Sequence, residues 1–163
     1  MDTLIFASAG AIISALISGI GSSIGILTAS SKGSGVLAEK SHLFGKILIL
    51  TALPGSQGVY GLLIAILILL KAGVFEETDK VLSLASSIQL LAAGILMAFA
   101  AFSSALLQGK AIAASIGAVA RNEDLAGKAI VMSVLIETYA IFGLLVSLLI
   151  ANSVQLSAPV VAA

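Results

Sequence analysis

Residues 45–68 read GKILILTALPGSQGVYGLLIAILI, and residues 127–150 read GKAIVMSVLIETYAIFGLLVSLLI. Sliding the chain against itself by 82 residues aligns these two stretches without a gap. In the first copy, the positions that meet an identical residue are Gly45, Lys46, Leu53, Gly61, Leu62, Leu63, Leu67 and Ile68. The same offset pairs Ser22 with Ser104 further upstream. Self-similarity at a fixed offset indicates a duplicated structural unit.

The composition places this duplicated unit in a membrane. The chain is 60% hydrophobic and 10% charged, with a mean hydropathy of +1.20, far above the values of an ordinary soluble domain. Runs without a charged residue lie between Asp2 and Lys32, between Lys46 and Lys71, and between Lys80 and Lys110. A fourth apolar run, beyond Lys128, contains Glu137 as its sole charged residue. Each run is long enough for the roughly 20 apolar residues that span a bilayer. Because lipid offers the backbone no hydrogen bonds and the runs lack the alternation of barrel strands, they predict an all-α membrane protein with four transmembrane helices.

Each copy of the repeat contains two of these helices, so the duplicated unit is a helical hairpin. We predict a first hairpin over residues 1–80 and a second, which carries the carboxylate, over residues 81–163. An even number of helices separates the two copies, so they have parallel orientations. This arrangement fits hairpins placed around an axis along the membrane normal.

The charges outside the helices predict the orientation of the chain. Basic residues of the first and third connections are Lys32, Lys40, Lys46, Lys110, Arg121 and Lys128. The middle connection contains Lys71, Glu76, Glu77, Asp79 and Lys80. By the positive-inside rule, the two hairpin loops are predicted to be cytoplasmic and both termini to lie outside the cell membrane. The chain has no cysteine, which excludes disulfides and thiolate metal sites, and its net charge of zero argues against nucleic acid as a partner.

Small residues crowd the first and third helices, in SALISGIGSSIGILTASSKGSG (14–35) and AAGILMAFAAFSSALLQGKAIAASIGAVA (92–120). Gly21 and Gly25 form a GxxxG pair, which allows close approach of two helices. One interpretation is ordinary contact within a single four-helix bundle. The small residues lie along nearly every face, which favours the crowded inner wall of a ring of repeated chains.

Glu137 places a carboxylate inside the fourth apolar run. An uncompensated carboxylate in a bilayer costs at least roughly 2.5 kcal/mol, so it marks an ion or substrate path by default; the alternative is a protonated carboxyl that bonds neighbouring helices. A hairpin turn near Asn122 and Glu123 would bring Gln108 level with Glu137. In the repeat alignment Gly55 is equivalent to Glu137 and is therefore expected at the same height. Only the second copy has a carboxylate at this position.

The stretch LPGSQGVYG, residues 53–61, supplies further oxygen atoms at this depth. The spacing i, i+3, i+4 and i+7 puts four of its residues on one helical face: Leu53, Ser56, Gln57 and Tyr60. Pro54 cannot donate a backbone hydrogen bond, which frees a carbonyl such as that of Leu53 to face a ligand. Alternatively, Pro54 only kinks the helix, the glutamines only bond neighbouring helices and Tyr60 only packs.

A dehydrated hard cation needs several oxygen ligands, whereas a proton needs only a carboxyl group and one partner. The candidate ion ligands are Glu137, Gln57, Gln108, Ser56 and the Leu53 carbonyl. Tyr60 or Thr138 is expected to orient the carboxylate. The pattern therefore favours Na⁺ over H⁺ as the bound ion.

Three motifs, LPGSQGVYG, LLQGKAIAA and IETYAIFG, resemble those of the proteolipid (K or c) ring subunit of V-type rotary ATPases, and most of all its sodium-pumping bacterial form. The resemblance runs over nearly the whole chain. It implies that Glu137 carries the ion, that Leu53, Ser56, Gln57 and Gln108 coordinate it, and that Tyr60 donates a hydrogen bond to the carboxylate. The sequence departs from the sodium-type motif at Ser56, where threonine is expected; the hydroxyl is retained.

The resemblance also implies how the chain works. Identical subunits form a ring, embedded in lipid, that rotates against a stator while partner subunits hydrolyse ATP, so the chain is not catalytic alone. The resemblance also implies an arginine that loosens the ion. A stator membrane subunit would supply it, because the only arginine of this chain, Arg121, is predicted to lie in a loop away from the ion. The cytoplasmic loops around Lys40 and Asn122 would contact central-stalk subunits.

Other function classes make different predictions. A stand-alone cation channel or secondary transporter using Glu137 would form small assemblies that transport ions without ATPase partners. A structural membrane spacer would tolerate Glu137→Gln without loss of transport. A soluble enzyme finds no support, because no nucleophile, base and orienting group recur at a usable spacing.

Overall fold

The computed structural model describes residues 2–75 and 82–156. These residues form α-helices and contain no strand; the helices are α1 (Asp2–Glu39), α2 (Phe44–Ala52), α3 (Ser56–Lys71), α4 (Leu84–Arg121) and α5 (Ala126–Ser153). Short 3₁₀ turns join α1 to α2 (Ser41–Leu43), α2 to α3 (Leu53–Gly55) and α4 to α5 (Glu123–Leu125). The predicted all-α fold is confirmed for the described residues.

The turn between α2 and α3 is a consequence of Pro54. Proline has no N–H to bond the carbonyl four residues earlier, so the backbone tightens locally. The Leu53 N–H bonds the Leu50 carbonyl, and the Ser56 N–H bonds the Leu53 carbonyl. The second span therefore continues through a 3₁₀ segment, as expected from an interruption at Pro54.

Within the described residues, four helical stretches are long and apolar enough to cross a membrane: Thr3–Glu39, Ser41–Lys71, Leu84–Arg121 and Glu123–Ser153. Their lengths of 31 to 38 residues correspond to roughly 47 to 57 Å at 1.5 Å per residue. The hydrocarbon core is only about 30 Å thick, so the helices extend beyond it and carry the hairpin turns out of the lipid. The predicted number of transmembrane helices is confirmed.

The helices α1 and α4 approach each other so closely that their backbones touch. A Cβ atom on Gly25 would lie 2.5 Å from the Ala105 carbonyl oxygen and 2.8 Å from Cβ of Pro54. A Cβ atom on Gly109 would lie 2.5 Å from the Gly25 carbonyl oxygen. Real Cβ atoms do not approach so near, so this crossing requires glycine. The close helix approach predicted from the GxxxG pair is confirmed.

The other helices flank this central pair. The helix α3 packs against α1, α5 packs against α4, and α3 and α5 also touch each other. The Ser14 hydroxyl donates to the Gly61 carbonyl at 2.8 Å, and the Gly58 N–H donates to the Ser22 hydroxyl at 2.6 Å. These bonds attach the first two turns of α3 to α1.

Two apolar clusters fill the interior. The cluster toward the hairpin turns includes Leu43, Ile47, Leu50, Ile112, Ile116 and Val119. The cluster toward the opposite ends includes Ile64, Ile68, Leu90, Met97 and Ala151. The polar layer between these clusters contains the predicted site.

The two hairpin turns contact each other outside the apolar layers. The Glu123 carboxylate lies 2.6 Å from His42 Nε2 and 3.0 Å from Lys46 Nζ. Lys40 Nζ donates to the Ala120 carbonyl at 2.7 Å. An ion pair between Lys46 and Glu123, together with the hydrogen bonds of His42 and Lys40, therefore connects the first hairpin to the second.

Two further predictions, which concern the boundary between the hairpins and the orientation of the chain in the membrane, stay predictions. The domain boundary at 80 to 81 and the middle connection with Glu76, Glu77, Asp79 and Lys80 lie outside the described residues. The membrane sides of the termini and loops likewise remain as predicted from the charge pattern.

Candidate functional site

Glu137 lies near the middle of α5 with only 7% of its surface exposed. Its side chain occupies the contact between the two hairpins, facing α3 of the first hairpin and α4 of the second. The second hairpin turns at Asn122, where α4 has ended and the 3₁₀ turn begins. This turn brings Gln108 level with Glu137, as the residue spacing predicts.

Three side chains donate hydrogen bonds to the Glu137 carboxylate. The Ser56 hydroxyl lies 2.5 Å and the Tyr60 hydroxyl 2.7 Å from Oε1. Gln108 Nε2 lies 3.4 Å from Oε2. Both oxygens of the Glu137 side chain therefore accept at least one hydrogen bond. Such bonds reduce the cost of a buried negative charge.

The amide of Gln57 is fully buried and is held by two acceptors. Its Nε2 donates to Gln108 Oε1 at 2.8 Å and to the Ser104 hydroxyl at 3.2 Å. Because both bonds use the nitrogen, the amide oxygen turns toward Ser56, whose hydroxyl lies 3.3 Å away. The Gln57 oxygen therefore points toward the group of oxygens around Glu137.

Gln108 has the opposite orientation. Its oxygen accepts the bond from Gln57, and its nitrogen donates to the Ser133 carbonyl at 3.0 Å as well as to Glu137. In this arrangement the Gln108 nitrogen, and not its oxygen, faces the carboxylate. Gln108 positions both Glu137 and Gln57.

The 3₁₀ turn supplies a backbone oxygen at the same place. The Leu53 carbonyl accepts the N–H of Ser56, and the Ser56 hydroxyl lies 3.0 Å from the same oxygen. The single Ser56 proton serves one acceptor at a time, and Glu137 competes for it with Leu53. A carbonyl oxygen, a hydroxyl oxygen, an amide oxygen and a carboxylate thus converge within one polar layer.

This set of groups suits a monovalent cation. The described residues contain no cluster of three or more His, Cys, Asp or Glu side chains. The site combines one carboxylate with neutral oxygens, so its formal charge is balanced by a single positive charge. Neutral oxygens and carboxylates are ligands for hard cations, whereas divalent ions commonly recruit additional carboxylates.

The structure brings together all but one of the candidate site residues that were singled out from the sequence. The exception is Thr138. The residues that meet in the polar layer are Glu137, Leu53, Ser56, Gln57, Gln108 and Tyr60. Thr138 instead donates to the Leu135 carbonyl at 2.7 Å. Consecutive helical residues point about 100° apart, and a threonine hydroxyl readily bonds the preceding turn. Among the described hydrogen bonds, Thr138 therefore has none to Glu137, and of the two residues expected to orient the carboxylate it is Tyr60 that bonds it.

Two participants were not singled out from the sequence. The Ser104 hydroxyl accepts from Gln57 and donates to the Ile136 carbonyl at 3.1 Å, and the Ser133 carbonyl accepts from Gln108. Ser104 lies four residues before Gln108, and Ser133 lies four residues before Glu137. That spacing puts each serine on the same helical face as the site residue that follows it. It could have identified the Ser104 hydroxyl, whereas Ser133 takes part through its backbone carbonyl, which no side-chain pattern indicates.

Comparison with known proteins decides the family. The model of the family that comprises the C subunits of ATP synthases matches the chain twice, over residues 9–68 and 91–150. The chain belongs to this ATP synthase C-subunit family. The two matches are offset by 82 residues, the same offset as in the internal alignment, which confirms the tandem repeat.

Two curated relatives within this family are similar over most of the chain. The A-type ATP synthase subunit K of Methanocaldococcus jannaschii is 43% identical over 150 residues, which is 92% of this chain and 63% of that protein. The V-type sodium ATPase subunit K of Enterococcus hirae is 34% identical over 147 residues, which is 90% of each chain. The chain thus spans less than two thirds of the first relative and nearly all of the second. The predicted resemblance to proteolipid subunits of V-type ATPases is confirmed at the level of the family.

Proposed function

We propose that this chain is the membrane rotor-ring subunit of a V-type or A-type ATPase and carries a monovalent cation across the membrane on Glu137. The observation that carries the proposal is the buried Glu137 carboxylate, with hydrogen-bond donors on both oxygens, at mid-depth of a membrane-length helix. Rotation is coupled to ATP hydrolysis in partner subunits, so the chain transports ions without catalysing a reaction itself. Membership of the ATP synthase C-subunit family supports this assignment.

We propose Na⁺ as the cargo, with H⁺ as the alternative. The Leu53 carbonyl, the Ser56 hydroxyl, the Gln57 amide oxygen and Glu137 are the ligands that would surround Na⁺. Gln108 would hold Gln57 and the carboxylate in place through its nitrogen. Similarity to a protein named as a V-type sodium ATPase subunit supports this choice, and a site with several neutral oxygens exceeds what a proton requires.

The geometry suggests how the carrier stays neutral in lipid. With a cation bound, the negative charge of Glu137 is balanced, and the Tyr60 and Ser56 hydroxyls still donate hydrogen bonds to the carboxylate. Without the cation, a charge in hydrocarbon is unfavourable, so release occurs where another positive charge is offered. An arginine of a stator membrane subunit would supply that charge.

The remaining partners follow from the same proposal. The chain assembles with identical copies into a ring within the membrane lipid, with both termini outside and the hairpin loops in the cytoplasm. The hairpin turns at Ser41–Leu43 and Glu123–Leu125, where Ser41, His42 and Asp124 are exposed, would contact central-stalk subunits. No feature of this proposal requires nucleic acid.

Carbodiimide labelling tests the carrier and its cargo together. Carbodiimides modify protonated carboxyl groups in apolar surroundings, so the purified, membrane-extracted protein should be modified at Glu137. The Glu137→Gln variant is the matched control and should give no adduct there. Mapping the adduct across a range of sodium concentrations and pH values distinguishes the ions.

Three labelling results lead to three different conclusions about Glu137 and its ion. Suppression of labelling by sodium, but not by potassium at equal ionic strength, is the expected result. Labelling that follows pH and ignores sodium would identify H⁺ as the cargo. Absence of any adduct at Glu137 in the folded protein would contradict the carrier role.

The mass of the assembly tests the ring. A ring predicts a large oligomer of one repeated chain in mild detergent. A stand-alone channel or secondary transporter would instead appear as a small assembly that transports ions without ATPase partners.

A further inference from the structure

The Ser104 hydroxyl bonds differently from that of its neighbour in α4. A serine hydroxyl in a helix commonly bonds a carbonyl of the preceding turn of its own helix, and Ser103 does so, with the Phe99 carbonyl at 2.8 Å. The Ser104 hydroxyl instead donates to the Ile136 carbonyl of α5 at 3.1 Å. Ser104 is only 3% exposed, so its proton is committed to a partner on another helix.

That donation leaves the Ser104 oxygen as an acceptor. A carbonyl oxygen accepts hydrogen bonds and cannot donate one, whereas a hydroxyl can do either. Because the Ser104 hydroxyl donates to Ile136, its lone pairs are available to Gln57, whose Nε2 lies 3.2 Å away. Ser104 therefore presents a fixed acceptor, and only the nitrogen end of the Gln57 amide suits it.

A second backbone carbonyl of α5 acts in the same way on Gln108. The Ser133 carbonyl accepts from Gln108 Nε2 at 3.0 Å, and Glu137 Oε2 lies 3.4 Å from the same nitrogen. Both hydrogens of this amide are thereby used, and its oxygen accepts from Gln57 at 2.8 Å. Two carbonyls of α5 thus fix the directions of the bonds made by the two buried glutamines.

Both hydrogens of the Gln57 amide are used as well. One is donated to the Gln108 oxygen and the other to Ser104. A reversed amide would put its oxygen where the nitrogen now lies, 2.8 Å from the Gln108 oxygen, and two acceptors repel each other at that distance. The Gln57 oxygen is therefore left on the side of Ser56, where the cation would lie.

We propose that Ser104 is a positioning residue that determines the preference of this site for a metal cation over a proton. Ser104 acts through Gln57, because holding the amide nitrogen keeps the amide oxygen turned toward the cation. The proposal deepens the proposed function and rests on it, since it concerns how the same site selects Na⁺. Among the described hydrogen bonds, Ser104 has none to Glu137 itself.

The two ions need different groups. A proton needs only the Glu137 carboxyl and its hydrogen-bond partners. Those partners are Ser56, Tyr60 and Gln108. A dehydrated Na⁺ needs several oxygens, and the Gln57 oxygen would be one of them. Because Ser104 bonds Gln57 and not the carboxyl group, loss of its hydroxyl should weaken cation binding and spare proton binding.

The repeat supplies an internal comparison for this serine. The equivalent of Ser104 in the first hairpin is Ser22, whose oxygen accepts the backbone N–H of Gly58 at 2.6 Å. The direction of a backbone N–H is already set by its helix, so Ser22 has no side-chain amide to orient. The first hairpin also has Gly55 at the position of Glu137. The serine that orients an amide thus belongs to the copy that has the carboxylate.

Sodium protection of Glu137 against carbodiimide labelling tests the proposal. Ser104→Ala should raise the sodium concentration that halves labelling roughly 3- to 10-fold, because the bond that it removes joins two neutral groups. The pH of half-maximal labelling in sodium-free buffer should stay that of the parent chain. A merely structural role would not separate the two measurements, because loosened packing around Glu137 would shift both.

A matched control removes a serine hydroxyl that is similarly buried in the same helix. The Ser87 hydroxyl bonds the Leu84 carbonyl of its own turn, so Ser87→Ala should match the parent chain in both measurements. Ser104→Thr keeps the hydroxyl and should restore sodium protection relative to Ser104→Ala. Helix content by circular dichroism and assembly mass should match among these proteins.

A second substitution keeps the test valid if alanine perturbs the packing. Ser104→Cys fills nearly the same volume, but its thiol is only a weak acceptor. It should therefore raise the half-protection concentration of sodium in the same direction as Ser104→Ala and leave the sodium-free pH of half-maximal labelling unchanged.

Two results would overturn the role of Ser104 alone. The first is unchanged sodium protection in both the alanine and the cysteine variants. The second is a shift of the sodium-free pH of half-maximal labelling that accompanies the loss of sodium protection. In either case a parent chain that sodium protects leaves the proposed function standing. A parent chain whose labelling ignores sodium would overturn the choice of cargo, and the role of Ser104 with it.

Discussion

Replacing Ser56 by alanine removes the hydroxyl that lies 2.5 Å from Glu137 Oε1 and 3.0 Å from the Leu53 carbonyl. In the loaded site this oxygen would face Na⁺ while the hydroxyl still donates its hydrogen bond to the carboxylate. The substitution therefore deletes one ligand of the cation and one donor to the anion. We expect Ser56→Ala to weaken sodium binding while leaving the helices in place.

The magnitude follows from the charge on Glu137. A hydrogen bond to a charged group contributes about 1.5 to 3 kcal/mol, and each 1.4 kcal/mol corresponds to a factor of about ten in affinity. The sodium concentration that halves carbodiimide labelling of Glu137 should rise roughly 10- to 150-fold. The assay is the dependence of labelling on sodium concentration at fixed pH.

Ser56→Thr is the matched control, because it keeps the hydroxyl and adds one methyl group to a half-buried position. Its half-protection concentration should stay close to that of the parent chain. Either of two results would refute the reasoning: an unchanged value for Ser56→Ala, or a threonine variant as weak as the alanine variant. Circular dichroism and assembly mass should match among the three proteins.

Three further predictions concern packing, the buried amides and the hairpin turns. Gly25→Ala should destabilise the fold by about 1 to 3 kcal/mol in thermal unfolding, because its Cβ would meet the Ala105 carbonyl oxygen at 2.5 Å. Gly19→Ala, with nothing within 4 Å, should be neutral or stabilising by up to about 1 kcal/mol. Gln57→Leu leaves two buried polar partners without their donor, so unfolding should become easier by about 1 to 3 kcal/mol for each. Bonds from His42 and Lys46 hold the pKa of Glu123 below its ordinary 4.5. The bonds of Glu123 to His42 and Lys46 are therefore expected above pH 4.5 and weaken as pH falls through the lowered value. Hydrogen exchange at residues 40–43 and 122–125 should report this loss, and Glu123→Gln should remove its pH dependence.

Much of the site could be predicted because its residues share one depth in the membrane. The turn at Asn122 and the rise per helical residue together bring Gln108 level with Glu137, which the hydrogen bond between them bears out. The spacing from Leu53 to Tyr60 likewise puts the polar groups of α3 on one face. Both inferences use only the regular geometry of a helix.

The directions of individual hydrogen bonds could not be predicted in this way. An amide presents either its oxygen or its nitrogen, and for Gln108 the choice depends on Gln57 and on the Ser133 carbonyl, which lie on other helices. The partner of the Thr138 hydroxyl could not be predicted from the sequence either. Its hydroxyl bonds its own helix, and spacing alone does not exclude a contact with the neighbouring carboxylate.

The sequence by itself determined the number of transmembrane helices, their duplication and the depth of the single carboxylate. These properties depend on hydrophobicity along the chain and on the thickness of a bilayer, and both can be read from one residue to the next. Only the tertiary structure decided that the backbones of α1 and α4 touch at Gly25 and Gly109, that the Gln57 oxygen faces Ser56, and that Tyr139 and Phe142 of α5 are exposed. These features depend on contacts between residues far apart in the chain, and the periodicity of a single helix does not specify which of its faces meets which neighbour.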